Sequence, residues 1–374
     1  MPSWLKEGRG SLCGANVSLL LREMGITKPL LVAGERTKNV FFARTGMRLP
    51  VFDAFHPNPD LQDCVAGEAL YQEKGCDGLI SVGGGSAMDT AKGIKALLMT
   101  DIAHVRANQL PSEGNVPHLA IPGTAGTGAE TTAVAVLYED GQKLSVDHPA
   151  LLPDGVLLDG SLLDTLPEYH RKSCAMDALA QGIESWWAKK ATPGSRIHAE
   201  RAIRGVLDNL TAYLQGDRKA QDEMLHAAYE SGVAILTTRT TAAHAMSYQI
   251  TKKLGAAHGH ACMLTLPHLW AHLAAQAEYQ PMLTELSRLL GGEKPMDGAI
   301  LLKGLLAVLE LDKIPMPDDA TLDMLAASVN PERLGNHPEA LTTAQLRAIY
   351  VQAFTPMTDT ERAEAIAAWE QYGK

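Results

Sequence analysis

Near its middle the chain changes period. Up to about residue 160, short apolar runs end at glycines or turn residues; beyond that point, apolar positions recur at three- and four-residue spacing. Short continuous apolar runs bounded by turn signals fit strands buried on both faces, and the longer spacing fits helices. The runs at 30–32, 79–82 and 119–122 predict buried strands. A short strand is also expected from residue 51, and another within 151–167. An opening segment leads into a short helix before residue 25, and 61–76 reads as a helix with a glycine stop. Helical spacing then covers 198–214, 220–238, 264–276, 281–291, 298–312, 319–329 and 360–373. The expected architecture is an α/β N-terminal dinucleotide-binding domain over 1–161 and an all-α C-terminal domain over 162–374.

Composition narrows this picture. With 374 residues there is room for two cores, and 46% hydrophobic with 20% charged residues describes an ordinary globular chain. A formal charge of −10 argues against a sequence-independent nucleic-acid surface. No apolar run reaches membrane-spanning length, and the opening MPSWLKEGRGSL has no apolar leader core, so no membrane partner is expected. The five cysteines are scattered without CxxC spacing, which points to a reducing, cytoplasmic setting.

Two glycine-rich loops follow two of the predicted strands. Gly83, Gly84 and Gly85 deliver the chain to a helix, with Ser86 as the expected N-cap and Asp89 in the first turn. Unpaired backbone N–H groups and the helix dipole would both face a phosphate there. The same sequence can also be a tight turn. In the second loop, GTAGTGAE, the hydroxyls of Thr124 and Thr127 and the small residue Gly128 suit another side of a dinucleotide. A pair of such loops favours one cofactor cleft over two unrelated turns.

The second half carries metal-ligand chemistry. Asp177 and Gln181 lie four apart on one helix face; His244 and His258 follow, His258 at a glycine-bounded helix junction. One carboxylate, one amide oxygen and two imidazoles suit a divalent ion with room for substrate. Taken singly, each is more often a structural buried residue.

Several of these motifs together resemble the iron-containing, or group III, alcohol dehydrogenase family, which shares its fold with glycerol dehydrogenase and dehydroquinate synthase. Its GGGSxxDxAK stands here at 83–92, its TxxGTGxE at 124–130 and its DAxxxxxE at 177–184, and its spaced histidine pair falls on His244 and His258 ahead of an LPH segment. The resemblance implies a dehydroquinate synthase-like fold, a pyridine-nucleotide oxidoreductase, one divalent metal (Fe²⁺ or Zn²⁺) and a homodimer. It implies hydride transfer from the nicotinamide to a carbonyl polarised by the metal, with Tyr248, His260 or water returning the proton.

This chain departs from the family pattern at three positions. Where relatives carry a histidine four residues after the metal aspartate, it has Gln181; where they carry an NAD-favouring aspartate after the strand, it has Gly34, with Arg36 close by. Loss of that carboxylate and gain of a guanidinium favour NADPH over NADH. A second family histidine is replaced by Tyr248. Around these departures the sequence resembles the phosphonoacetaldehyde reductases of phosphonate biosynthesis. That resemblance implies a small anionic aldehyde substrate, with Arg239, Lys252 and Lys253 as the available cations. The competing readings are a general iron-type dehydrogenase of neutral short-chain alcohols and a non-catalytic relative that binds nucleotide alone.

Overall fold

In the computed structural model, residues 6–112, 114 and 116–372 are described, and the first five residues of the opening segment lie outside them. The chain divides into two compact units, Met1–Leu166 and Pro167–Lys374. The expected boundary at 161/162 falls within a 3₁₀ turn, Gly160–Leu163, and Leu162 is still part of the first unit's core.

In chain order the first unit contains β1 (Lys6–Arg9), α1 (Gly14–Glu23), β2 (Pro29–Ala33), α2 (Glu35–Thr45), β3 (Val51–Phe52), α3 (Leu61–Lys74) and β4 (Gly78–Gly83). Then come α4 (Gly85–Met99), α5 (Ile102–Arg106), β5 (His118–Pro122), β6 (Val134–Glu139), β7 (Gln142–Asp147) and β8 (Gly155–Leu158). Six strands form one parallel sheet in the order β1-β8-β5-β4-β2-β3. The alternation of β2 shows why its run is continuously apolar. Leu30 and Val32 join one core cluster with Leu79 and Ile94, while Leu31 and Ala33 join another with Ile80 and Ile121. Helices therefore cover both faces, as parallel sheets require. From β2 the chain steps to β3 at the edge and then returns to place β4 on the other side of β2. Such a reversal is the switch point at which open α/β sheets hold ligands beyond their strand ends.

The sequence reading did not anticipate β1, α2, α5 or the antiparallel β6–β7 hairpin. The hairpin turns at Asp140 and Gly141, both with positive φ, as a two-residue turn that matches strand twist requires.

The second unit is all-helical: α6 (Glu168–Trp187), α7 (Pro193–Leu214), α8 (Arg218–Thr238), α9 (Ala242–Gln249), α10 (His258–Ala274), α11 (Gln280–Leu289), α12 (Asp297–Val308), α13 (Asp319–Ala327), α14 (Pro331–Gly335), α15 (Thr343–Phe354) and α16 (Asp359–Tyr372). Local chemistry sets several starts. Thr192 and Ser195 form a capping box at α7, and Asp217 accepts the Ala220 N–H at α8. Between α9 and α10 the chain runs through a π-helical turn, Ile250–Leu254, which ends at Gly255 in the left-handed region. The first turn of α10 lies tightly against α6: a Cβ on Gly259 would stand 2.0 Å from the Ser173 carbonyl oxygen and 2.7 Å from Asp177 Cβ. Only glycine permits that approach, and it is what sets His258 beside Asp177. Among the described residues, no helix is long and apolar enough to cross a membrane.

Candidate active site

In the first unit the two glycine loops lie side by side, because β4 and β5 are adjacent and parallel. Gly123 N–H donates to the Gly83 carbonyl at 2.8 Å. Built Cβ atoms on Gly84 and Gly85 would meet the Thr124 and Thr127 side chains at 3.1 and 3.5 Å. Gly83 has φ +150, a conformation L side chains rarely adopt, so the turn out of β4 depends on glycine. Thr37 of α2 ties a third strand end to these loops by donating to the Val82 carbonyl at 2.9 Å. Gly128, with φ 58, opens the 3₁₀ turn Ala129–Thr131.

Two expectations here are corrected. Gly84, not Ser86, is the N-cap of α4; the Ser86 hydroxyl instead accepts the Asn58 N–H at 3.1 Å. Asp89 lies beyond the first turn and faces the hairpin, where it accepts the Val136 N–H; burial raises its carboxyl to about 6 against the pull of Lys92. The buried Lys92, which the sequence reading did not single out, donates to Ala129 O, Val134 O and Thr132 Oγ1 at 2.7, 2.9 and 3.0 Å. Burial lowers its ammonium to about 8. Lys92 thus holds the far end of the second loop in place. Gly34 is the N-cap of α2, with open space where a side chain would project. Arg36, exposed on the first turn of α2, donates one N–H to the Thr165 carbonyl at 2.7 Å.

In the second unit, α6, α9 and α10 bring Asp177, His244 and His258 together. Asp177 Oδ1 lies 3.2 Å from His244 Nε2 and 3.9 Å from His258 Nε2. The other face of His244 is held by Glu184, one turn beyond Gln181 on α6. One Glu184 oxygen pairs with His244 Nδ1; the other accepts the Thr241 hydroxyl at 2.6 Å and the Ala243 N–H at 2.8 Å. Glu184 therefore caps the start of α9 and turns His244 Nε2 toward Asp177, the outer-shell role a ligating histidine needs. Cys262, one helical turn after His258, places Sγ 3.9 Å from His258 Nε2. Asp177, His244, His258 and Cys262 each offer an atom within 4.8 Å of the others.

This donor set draws positive charge, so it fits a divalent cation. Burial opposes a charge on His244, yet Cys262, Glu184 and Asp177 hold its pKa well above the ordinary 6.5. His258 is likewise raised, to about 9, against its burial. Cys262 goes the other way, lowered to about 7 by the two histidines despite burial.

The remaining expected residues fall into two groups. Gln181 is buried against the cluster: its amide hydrogen-bonds to Asp177, and its Oε1 accepts the Ser231 hydroxyl at 2.8 Å. Tyr248 stacks on His258 with centroids 5.9 Å apart and planes at 7°. His260, expected as a proton donor, faces the Leu311 carbonyl with Nε2 at 2.8 Å and the Tyr169 hydroxyl with Nδ1 at 3.1 Å. Arg239 is the C-cap of α8 with φ 62 and ψ 178, donating to Leu236 O at 3.4 Å, and Lys252 and Lys253 are exposed on the π-helical turn.

Two profiles of one family match nearly the whole chain: iron-containing alcohol dehydrogenase over residues 3–160 and the C-terminal region of Fe-containing alcohol dehydrogenases over 172–354. The chain belongs to the iron-containing alcohol dehydrogenase family. Among relatives, EutG of Escherichia coli is 34% identical over 250 residues, covering 65% of this chain and 60% of that one. The phosphonoacetaldehyde reductase of Streptomyces viridochromogenes is 35% identical over 228 residues, covering 57% and 58%. The chain thus spans about three fifths of the length of these curated relatives. The sulfoacetaldehyde reductase of Bifidobacterium kashiwanohense, solved with NAD⁺, superimposes with a TM-score of 0.85 at 25% identity, covering 95% of this chain and 97% of that one. Glu184, which closes the DAxxxxxE motif, and Cys262, one of the scattered cysteines, were given no role at the cluster by the sequence reading. A buried carboxylate in the DAxxxxxE motif and a cysteine four residues after His258 were the available signals.

Proposed function

We propose that this family member is a metal-dependent NADPH aldehyde reductase acting on a small anionic aldehyde, with phosphonoacetaldehyde as substrate and 2-hydroxyethylphosphonate as product. The observation that carries the reading is the cluster of Asp177, His244 and His258 on three helices, with Glu184 fixing the His244 tautomer. When bound, a divalent ion supplies Lewis acidity and the nucleotide supplies hydride. Asp177, His244 and His258 hold the ion; the loops at Gly83, Gly84, Gly85, Thr124, Thr127 and Gly128 hold the nucleotide phosphates through backbone N–H groups and hydroxyls. Gly34 offers no carboxylate to repel a 2′-phosphate, and Arg36 supplies its counter-charge, which supports NADPH. Tyr248, stacked on His258, holds a proton beside the cluster for the developing alkoxide.

The anionic substrate rests on the resemblance to phosphonoacetaldehyde reductase and on the likeness to a sulfoacetaldehyde reductase, both named for two-carbon aldehydes with an anionic head. Arg239, Lys252 and Lys253 are the cations assigned to it. The exposure of Lys252 and Lys253 favours a second reading, a neutral short-chain aldehyde. NADPH oxidation by metal-loaded protein, with phosphonoacetaldehyde and propanal compared at equal concentration, separates the two. Preference for the phosphonate is the expected result, preference for propanal supports the neutral substrate, and no turnover on either with any metal rejects the enzymatic reading. A cytoplasmic homodimer completes the proposal; the described cysteines are all free thiols, as a reducing compartment would keep them, and light scattering of the purified chain tests the dimer.

A further inference from the structure

The family pattern places an imidazole where this chain has Gln181, so the cluster lacks one expected nitrogen donor. The Gln181 side chain is engaged elsewhere as well as at the cluster: Oε1 accepts the Ser231 hydroxyl at 2.8 Å, and the amide hydrogen-bonds to Asp177. A different side chain joins the cluster. Cys262 is buried, shares the His258 face of α10 through its four-residue spacing, and lies within 4.8 Å of donor atoms from Asp177, His244 and His258. The spacings that the structure fixes are 3.2 Å, 3.9 Å and 3.9 Å. A tetrahedral ion with oxygen and nitrogen donors at about 2.0–2.1 Å and sulfur at about 2.3 Å separates its donors by roughly 3.3–3.6 Å. These three spacings lie within roughly 0.6 Å of those a tetrahedral ion sets, and all four atoms lie within 4.8 Å of one another.

Resting on the metal-binding reading above, we infer that the Cys262 thiolate is the fourth protein ligand, replacing the family imidazole, and that Gln181 is a positioning residue that orients Asp177. On binding, the S–H bond breaks, a sulfur–metal bond forms and the proton leaves to solvent. Two anionic donors, Asp177 and Cys262, then balance the charge of a divalent ion, where one carboxylate and three imidazoles would leave one positive charge. A thiolate also makes the site softer, so Zn²⁺ is favoured over Fe²⁺ relative to an all-nitrogen and oxygen site.

Co²⁺ titration of the full-length metal-free protein tests this without using activity. A thiolate-to-cobalt charge-transfer band is expected in the near ultraviolet at one equivalent. It should persist in Gln181→Ala and in Cys174→Ser, which removes the nearby thiol one turn before Asp177, and vanish in Cys262→Ser. Zn²⁺ affinity, read by competition with a chelating dye, should fall by more than roughly 100-fold in Cys262→Ser, because losing a direct ligand costs more than the roughly 10–100-fold that changes to the ligands' own partners cost. Stoichiometric Co²⁺ binding by the unaltered protein without that band overturns the ligand assignment while leaving the metal reading intact. So does a band that survives Cys262→Ser. Failure of the unaltered protein to bind Co²⁺ or Zn²⁺ overturns both. Because the band is read first in the unaltered chain, a poorly folding variant does not shelter the inference.

Discussion

Glu184 decides which nitrogen of His244 reaches the cluster, and it does so while capping α9, so one carboxylate links the fold to the chemistry. Glu184→Gln keeps the size but replaces the acceptor facing His244 Nδ1. Metal affinity, measured by dye competition, is expected to fall about 10- to 100-fold. His337 tells a different story. It is fully buried, its edge packs on Trp187, and neither ring nitrogen has a hydrogen-bond partner among the described residues. Burial lowers its pKa from 6.5 to about 4. The folded state thus keeps the ring neutral, while the unfolded chain takes up a proton below about pH 6.5. Stability from this group is intact above 6.5 and is lost as pH falls toward 4, by about 3 kcal/mol in all. His337→Phe should flatten the fall in unfolding free energy between pH 7 and 4.5, measured by urea titration; an unchanged slope counts against this assignment. Asp177, His244 and His258 stood out in the sequence through the ordered family motifs that contain them, since each taken singly is more often a structural buried residue. Cys262 was not, because a lone buried cysteine looks the same in sequence whether it packs or ligates.

At the scale of elements, two junctions position the functional groups. The first turn of α10 touches α6 through Gly259, so Gly259→Ala must push the helices apart. The cost expected for such overpacking is about 1–3 kcal/mol, together with loss of metal retention on dialysis, since His258 moves with the turn. At the β2–α2 junction the opposite holds: a side chain on Gly34 meets nothing within 4 Å. Gly34→Asp should leave the melting temperature unchanged and move the kcat/KM ratio from NADPH toward NADH, and an unaltered ratio would place the ribose elsewhere. The buried strands were readable because parallel strands are apolar on both faces. By contrast, α2 carries charges and an unremarkable apolar stripe, and its start depends on Gly34 and the strand before it. The β6–β7 hairpin carries a local signal of its own, Asp140-Gly141 at its turn, next to a longer glycine-rich loop. Serine favours N-caps, which is why Ser86 reads as one, but the helix starts earlier: its N-cap is Gly84, two residues before Ser86 and inside the glycine triplet.

For the molecule as a whole, metal binding should act as a stability term, because Asp177, His244 and His258 come from separate helices that only folding unites. Zinc at about 100 times its dissociation constant is expected to add about 2.7 kcal/mol to unfolding free energy, and chelation to remove it. A thermal transition insensitive to both would mean that the cluster does not bind the ion in the native state. The sequence by itself determined the division into an α/β half and a helical half, the two glycine loops and the set of candidate donors, because periodicity and residue chemistry are local properties. The tertiary structure decided what those residues do. It turned His260 toward Leu311 and Tyr169, engaged the Gln181 oxygen with Ser231, and brought Cys262 and Glu184 to the cluster. The physical reason is that ligand geometry depends on which helix faces meet, and that is set by close contacts such as Gly259 against Ser173, remote in sequence and invisible to any local pattern.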